Sequence, residues 1–154
     1  MMIIEERNKM IFRQIDEAIE RDGFLAHADF FAEHSINHDV PVTRDMVRAI
    51  LQDISRTFPD VKMETIDLVA EGEWVVGRYT FSGTHTGIGQ HPFVHGGLLV
   101  GVPPTNQSFE VQHIHMFRLR DGQIIEHWAS RDDVDMMRQL GLLTPVAFES
   151  SAIA

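Results

Sequence analysis

His113 and His115 stand two residues apart in an apolar, β-prone stretch. On a strand they would face the same side as Val111, Phe117 and Leu119. An imidazole titrates near neutral pH, so either ring could hydrogen-bond an acid or polarise a substrate carbonyl. The same pair could equally be satisfied core or interface histidines. Downstream, Ile124, Glu126, Trp128, Ser130 and Asp132 share one face of a strand by simple alternation, unless a bulge intervenes. Ile124 and Trp128 mark that face as buried, which would turn Asp132 inward and Asp133 away. A carboxylate in an apolar pocket has a raised pKa suited to proton transfer near neutrality. The competing reading makes Asp132 or Asp133 the N-cap of the last helix.

Other groups could assist. His85 falls in phase with Val75, Tyr79 and Phe81, which suggests the mouth of a pocket; a turn-stabilising histidine is the alternative. Tyr79 is the sole tyrosine and could donate to an oxyanion. Phe117 and Trp128 would supply apolar walls. Arg78 lies on the opposite phase, at the sheet surface. An H-x-H pair on a strand also occurs in cupin metal sites, but Leu119 and Arg120 stand where the acidic ligand belongs. No metal is therefore expected. No Walker loop, GxGxxG or HExxH is present.

These residues need a frame. Ile4, Ile11, Ile15 and Ile19 recur at helical spacing up to Asp22-Gly23, and Phe24, Ala28 and Phe31 suggest a short second helix. Asn37 and His38 would close that helix ahead of Pro41. Thr43 is an N-cap signal for a helix presenting Met46, Val47, Ile50, Leu51, Ile54 and Phe58, stopped by Pro59. Strands follow at 61–70, 74–85, 108–120 and 123–130, with turns at Glu71-Gly72 and Asp121-Gly122. A closing helix runs from about Asp132 to Gly141. Helices first and antiparallel strands afterwards predict an α+β fold whose helices and curved sheet enclose an apolar pocket. Trp128, Phe117 and Ile50 are expected in its core.

The 154 residues are 44% hydrophobic, which suits one domain over residues 1–154. A net charge of -10 argues against nucleic acid or an anionic membrane as partner. No signal peptide or membrane-length apolar run is read, so a cytoplasmic protein is expected. There is no cysteine, which removes disulfides and thiolate chemistry. The second strand carries Trp74, Val76 and Thr80 opposite Tyr79 and Phe81; two part-apolar faces predict a homodimer.

Four sequence features now combine: Gly83-Thr84-His85, the hairpin Asp121-Gly122-Gln123-Ile124 with Glu126 and Trp128, Asp132 four residues after the tryptophan, and Gln139-Leu140-Gly141. Together they resemble the SnoaL-like polyketide cyclases of the nuclear transport factor 2-like superfamily, over roughly residues 58–143. The resemblance implies a cone-shaped α+β fold, often dimeric. It also implies aldol ring closure without metal or cofactor, with an aspartate as acid/base. Carried to this chain, it implies catalysis by Asp132 with His113 and His115, and a small apolar carbonyl substrate contacted by His85, Tyr79, Trp128, Phe117 and His38. Isomerisation, dehydration and epoxide hydrolysis occur among relatives; a ligand carrier using the same pocket and a pure interaction module are the non-enzymatic readings. The segment 91–107, with His91 and His95, is longer and more apolar than the resemblance predicts.

Overall fold

The computed structural model describes residues 1–91 and 99–143; His95 and the rest of 92–98 in the long insertion lie outside them. Helix α1 (Ile4–Asp22) buries Asn8, Phe12, Ile15 and Ala18 and ends at Gly23, whose φ of 95° a side chain would resist. A 3-10 helix follows (Phe24–Phe30). Helix α2 (Arg44–Thr57) starts at Thr43, whose Oγ1 accepts from the Met46 N–H at 3.2 Å, and stops one residue before Pro59. Replacing Thr43 by alanine should cost about 1 kcal/mol in urea unfolding; an unchanged midpoint would show that the cap carries no weight.

Six strands form one open, curved mixed sheet in the order β2-β1-β6-β5-β4-β3. They are β1 (Phe31–Asn37), β2 (Val40–Thr43), β3 (Lys62–Glu71), β4 (Trp74–Thr84), β5 (Ser108–Arg120) and β6 (Gln123–Arg131). Helix α3 (Asp133–Gln139) closes the described chain. The α+β fold class is as expected, and the four long strands fall within a residue or so of the expected positions.

Two expectations need correction. Asn37 and His38 do not end a helix. Asn37 ends β1, and His38 and Asp39 form a two-residue hairpin turn with φ of 49° and 65°. Left-handed backbone is uncommon outside glycine, which is why the sequence hides this turn. The sheet is also not wholly antiparallel, because β1 pairs parallel with β6. The sequence-distant β1 thereby lies beside β6, and this placement builds the site.

The concave face follows alternation along β4 and β5. Val75, Tyr79 and Phe81 are buried on one, and Phe109, Val111, His113, Phe117 and Leu119 on the other. Gly77 belongs to this row because the Tyr79 ring folds back over it; a Cβ there would sit 2.3 Å from the ring. The apolar side chains form two clusters. One gathers Phe12, Phe31, Leu51, Phe117 and Ile124; the other gathers Phe58, Phe81, Phe109, Met136 and Leu140. No helix among the described residues is long and apolar enough to cross a membrane.

Candidate active site

Where the two clusters meet, the side chains leave a cavity of about 180 Å³. One water needs only roughly 10–15 Å³ by the same measure. Phe31, Leu51 and Phe117 come to its wall from the first cluster, and Phe58, Phe81 and Met136 from the second. Its lining is therefore mostly apolar.

β5 and β6 supply His113, His115, His127 and Arg131 to that lining. His113 and His115 do face the cavity, in register opposite Arg131 and Ala129 of β6. They are joined there by His127, and the three rings form a hydrogen-bonded row. His113 Nδ1 lies 3.2 Å from His115 Nε2, and His115 Nδ1 lies 2.8 Å from His127 Nε2. His127 Nδ1 then meets Asn37 Oδ1 at 2.9 Å. The row is held from below by Phe117, which stacks against His115 and His127 with centroids 5.8 and 4.7 Å away. Phe81 stacks on His113 at 4.5 Å. At the His113 end of the row, Nε2 is buried and has no hydrogen-bond partner among the described residues.

Burial sets the charge of this row. Desolvation lowers the pKa of His113 to about 4, with the Arg131 charge adding to it. It lowers that of His127 to about 3 and that of His115 well below its ordinary value, and the other imidazoles and Arg131 push both further the same way. At neutral pH all three rings are neutral. His27, fully buried against Phe31 and Phe117, is likewise lowered to about 4 by desolvation.

Asp132 is not where alternation puts it. It is exposed, its side chain caps α3 by accepting the Asp135 N–H at 3.1 Å, and it does not line the cavity. Asp133 lines the cavity instead and accepts from Arg131 at 2.8 Å. The cause is a β-bulge. Arg118 pairs with Glu126 while Leu119 pairs with Ile124, which leaves Ile125 as an extra residue in β6. Beyond it every side chain changes face. His127, Ala129 and Arg131 turn inward; Glu126, Trp128, Ser130 and Asp132 turn outward. Trp128 is accordingly half-buried on the outer face, where its Nε1 donates to Glu126 at 2.9 Å, and belongs to neither the core nor the cavity wall.

The remaining expected residues divide. Phe117 lines the cavity. His38 lines it too, but its Nε2 accepts the Ala129 N–H at 3.1 Å, which ties the β1–β2 turn to β6. Tyr79 lies in the core beneath the histidines, 5.3 Å from the His115 ring and off the cavity wall. Burial raises its pKa, so it stays a phenol. His85 is fully buried away from the cavity, with Nδ1 accepting the Thr105 N–H at 3.3 Å. It fastens the end of β4 to the strand that returns. Ile50 lines the cavity half-buried. Sequence reasoning does not single out His127, Arg131, Asp133 or His27 as site residues, and it reads Asn37 as a helix end. It also misses Asp53, a buried carboxylate that accepts from Arg56 and from the Gln90 N–H at 2.9 and 3.0 Å. Only the H-W pair in the β6 hairpin signals any of them, and alternation puts the wrong ring of that pair inside.

Metal binding would need lone pairs converging on one point. Two ring-to-ring contacts tie the three imidazoles in file, and no group of three or more His, Asp or Glu side chains among the described residues could hold an ion.

Comparison with known proteins agrees with this geometry at the level of family. Residues 9–140 match the family model for SnoaL-like polyketide cyclase. The nogalonic acid methyl ester cyclase of Streptomyces nogalater is 26% identical over 75% of this chain and 79% of its own length. The aklanonic acid methyl ester cyclase DnrD of Streptomyces peucetius is 32% identical over 53% of this chain, though the match spans only 50% of that protein. Among solved structures, a SnoaL-like polyketide cyclase from Jannaschia sp. CCS1 superposes with a TM-score of 0.71 at 26% identity, covering 94% of this chain and 98% of the other.

Proposed function

The chain belongs to the SnoaL-like polyketide cyclase family, and on that premise we propose that it is a cofactor-independent acid/base enzyme acting on a small, largely apolar carbonyl compound. The observation that carries the reading is His113, which lines the apolar cavity and whose buried Nε2 has no partner among the described residues. This nitrogen takes a proton from the carbon flanked by carbonyls, giving an imidazolium and an enolate. The enolate carbon bonds to the carbon of a third carbonyl further along the same molecule, and the resulting alkoxide recovers the proton from His113. Arg131, in the same lining, stabilises the negative charge as it moves from enolate to alkoxide.

A desolvated imidazole is a weak base, and this narrows the substrate. Two carbonyls flanking one C–H make that hydrogen acidic enough for a weak base, whereas an isolated ketone would not. A 1,3-diketone in heavy water is therefore the first probe. The protein should speed exchange of its central hydrogen for deuterium, read by proton NMR. Tight binding of such compounds with no protein-dependent exchange would overturn the enzymatic reading. It would favour a ligand-binding protein, a reading that gains weight because both carboxylates lining the cavity are already paired.

Asp132 has no proton to move in this scheme. Asp132→Asn should keep exchange within about twofold and stability within about 0.5 kcal/mol, because asparagine caps a helix nearly as well as aspartate. A hundredfold loss on that change would return the chemistry to Asp132. Homodimerisation remains part of the proposal. Ile66, Val69, Ile114 and Met116 are exposed on the outer face of the sheet, and equilibrium sedimentation at micromolar concentration should give twice the chain mass of 17.6 kDa.

A further inference from the structure

We propose that Asn37 sets the order of protons along His127, His115 and His113, so that the cavity-lining His113 keeps an unprotonated Nε2. The inference rests on the catalytic reading of His113 and adds to it a positioning residue on a different strand. Its basis is hydrogen-bond direction. A neutral imidazole has one N–H and one lone pair, so each contact in the row fixes the next. Asn37 Oδ1 can only accept, so His127 Nδ1 carries the hydrogen. His127 Nε2 must then accept from His115 Nδ1 at 2.8 Å, and His115 Nε2 must accept from His113 Nδ1 at 3.2 Å. The sequence ends on His113 Nε2 as a lone pair, the one nitrogen of the row without a partner among the described residues.

The opposite order would start from the amide nitrogen of Asn37 and end with a buried His113 N–H aimed at nothing. Buried N–H groups without acceptors are the rarer and costlier orphans. The order matters because free histidine favours the other tautomer, with the hydrogen on Nε2. In that form His113 would offer a hydrogen to the substrate carbonyl and could not accept one from carbon. Packing makes the row rigid enough to hold its order. Phe81 and Phe117 stack on it, and the β1–β6 pairing that brings Asn37 opposite His127 is part of the sheet.

The experiment is nitrogen-15 NMR of histidine-labelled protein at pH 7.5, where protonated and unprotonated ring nitrogens resonate far apart. Wild type should show the hydrogen on Nδ1 at His113, His115 and His127. Asn37→Ala should return His113 toward the Nε2–H form and lower 1,3-diketone exchange about five- to tenfold through kcat, roughly the weight of one neutral hydrogen bond. Finding Nε2–H at His113 in wild type would overturn the proposal, and so would an unchanged tautomer in Asn37→Ala. The wild-type measurement decides the matter even should the variant fail to fold. It also needs no substrate: absent exchange beside the expected tautomers would sink the catalytic reading alone, and exchange beside the wrong tautomer would sink the relay alone.

Discussion

Replacing His113 by glutamine should lower protein-dependent 1,3-diketone exchange by about 10²–10⁴-fold, the usual weight of a positioned general base. Glutamine suits the test because it is polar, of similar reach, and able to donate to His115 Nε2 as His113 Nδ1 does. It has no nitrogen that accepts a proton near neutral pH. The cavity wall and the row should therefore persist while the chemistry stops. Binding of a non-exchanging apolar ketone, followed by calorimetry, should change by less than about threefold. Residual exchange within tenfold of wild type would mean that another group moves the proton. Asp133 would be the next candidate, since it is the half-buried carboxylate that the bulge turns into the cavity.

The second large effect is on stability. Lowering the pH from 7.5 to 4 should destabilise the fold by about 5–6 kcal/mol from His27 and His113 alone. Both are buried, and desolvation lowers each to about 4 from an ordinary value near 6.5. Between those values the unfolded chain binds protons that the folded chain refuses, so stability is full above pH 6.5 and falls as the pH drops toward 4. Every tenfold loss of proton affinity is worth about 1.4 kcal/mol, which gives about 3 kcal/mol per ring. His127 and His115 are lowered too and act in the same direction. Asp16 opposes them, because burial raises its pKa and its protonation favours the folded state. The sum is comparable to the whole stability of many domains. Urea unfolding at pH 7.5, 6 and 5 should show a falling midpoint. His27→Leu, which removes one refused proton and leaves the hydrogen bonds of the histidine row in place, should flatten the slope. A midpoint constant across this range would show that the imidazoles reach water in the folded state.

The two expectations share one physical origin, the placing of several imidazoles in an apolar cavity. Neutral rings can hydrogen-bond each other in file, as charged rings could not. The arrangement makes a lone pair available at neutral pH and leaves the fold vulnerable to acid.

How much of this is legible along the chain depends on the range of the forces involved. Alternation places His113, His115 and Phe117 on the inner face, because side-chain direction on an unbroken strand is local. Thr43, Pro59 and the Asp121-Gly122 turn are legible for the same reason: caps and tight turns are decided within a few residues. The family motifs carry the fold class further than periodicity could.

What the chain does not display is which partner a strand will take. Asn37 belongs to the site only because β1 lies parallel beside β6, 90 residues later in sequence. The left-handed His38-Asp39 turn that makes this possible has no glycine to announce it. The bulge at Ile125 has the largest consequence. One extra residue exchanges Asp132 for Asp133, and Trp128 for His127, on the inner face. A bulge is set by how two strands twist and pack together, so its position is a property of the sheet. Local order along the chain is therefore enough for the elements, the apolar pocket and two of its histidines. Which acid faces inward, and that the histidines form a row ending on an open nitrogen, emerge only on folding, because both follow from pairings between residues far apart in the chain.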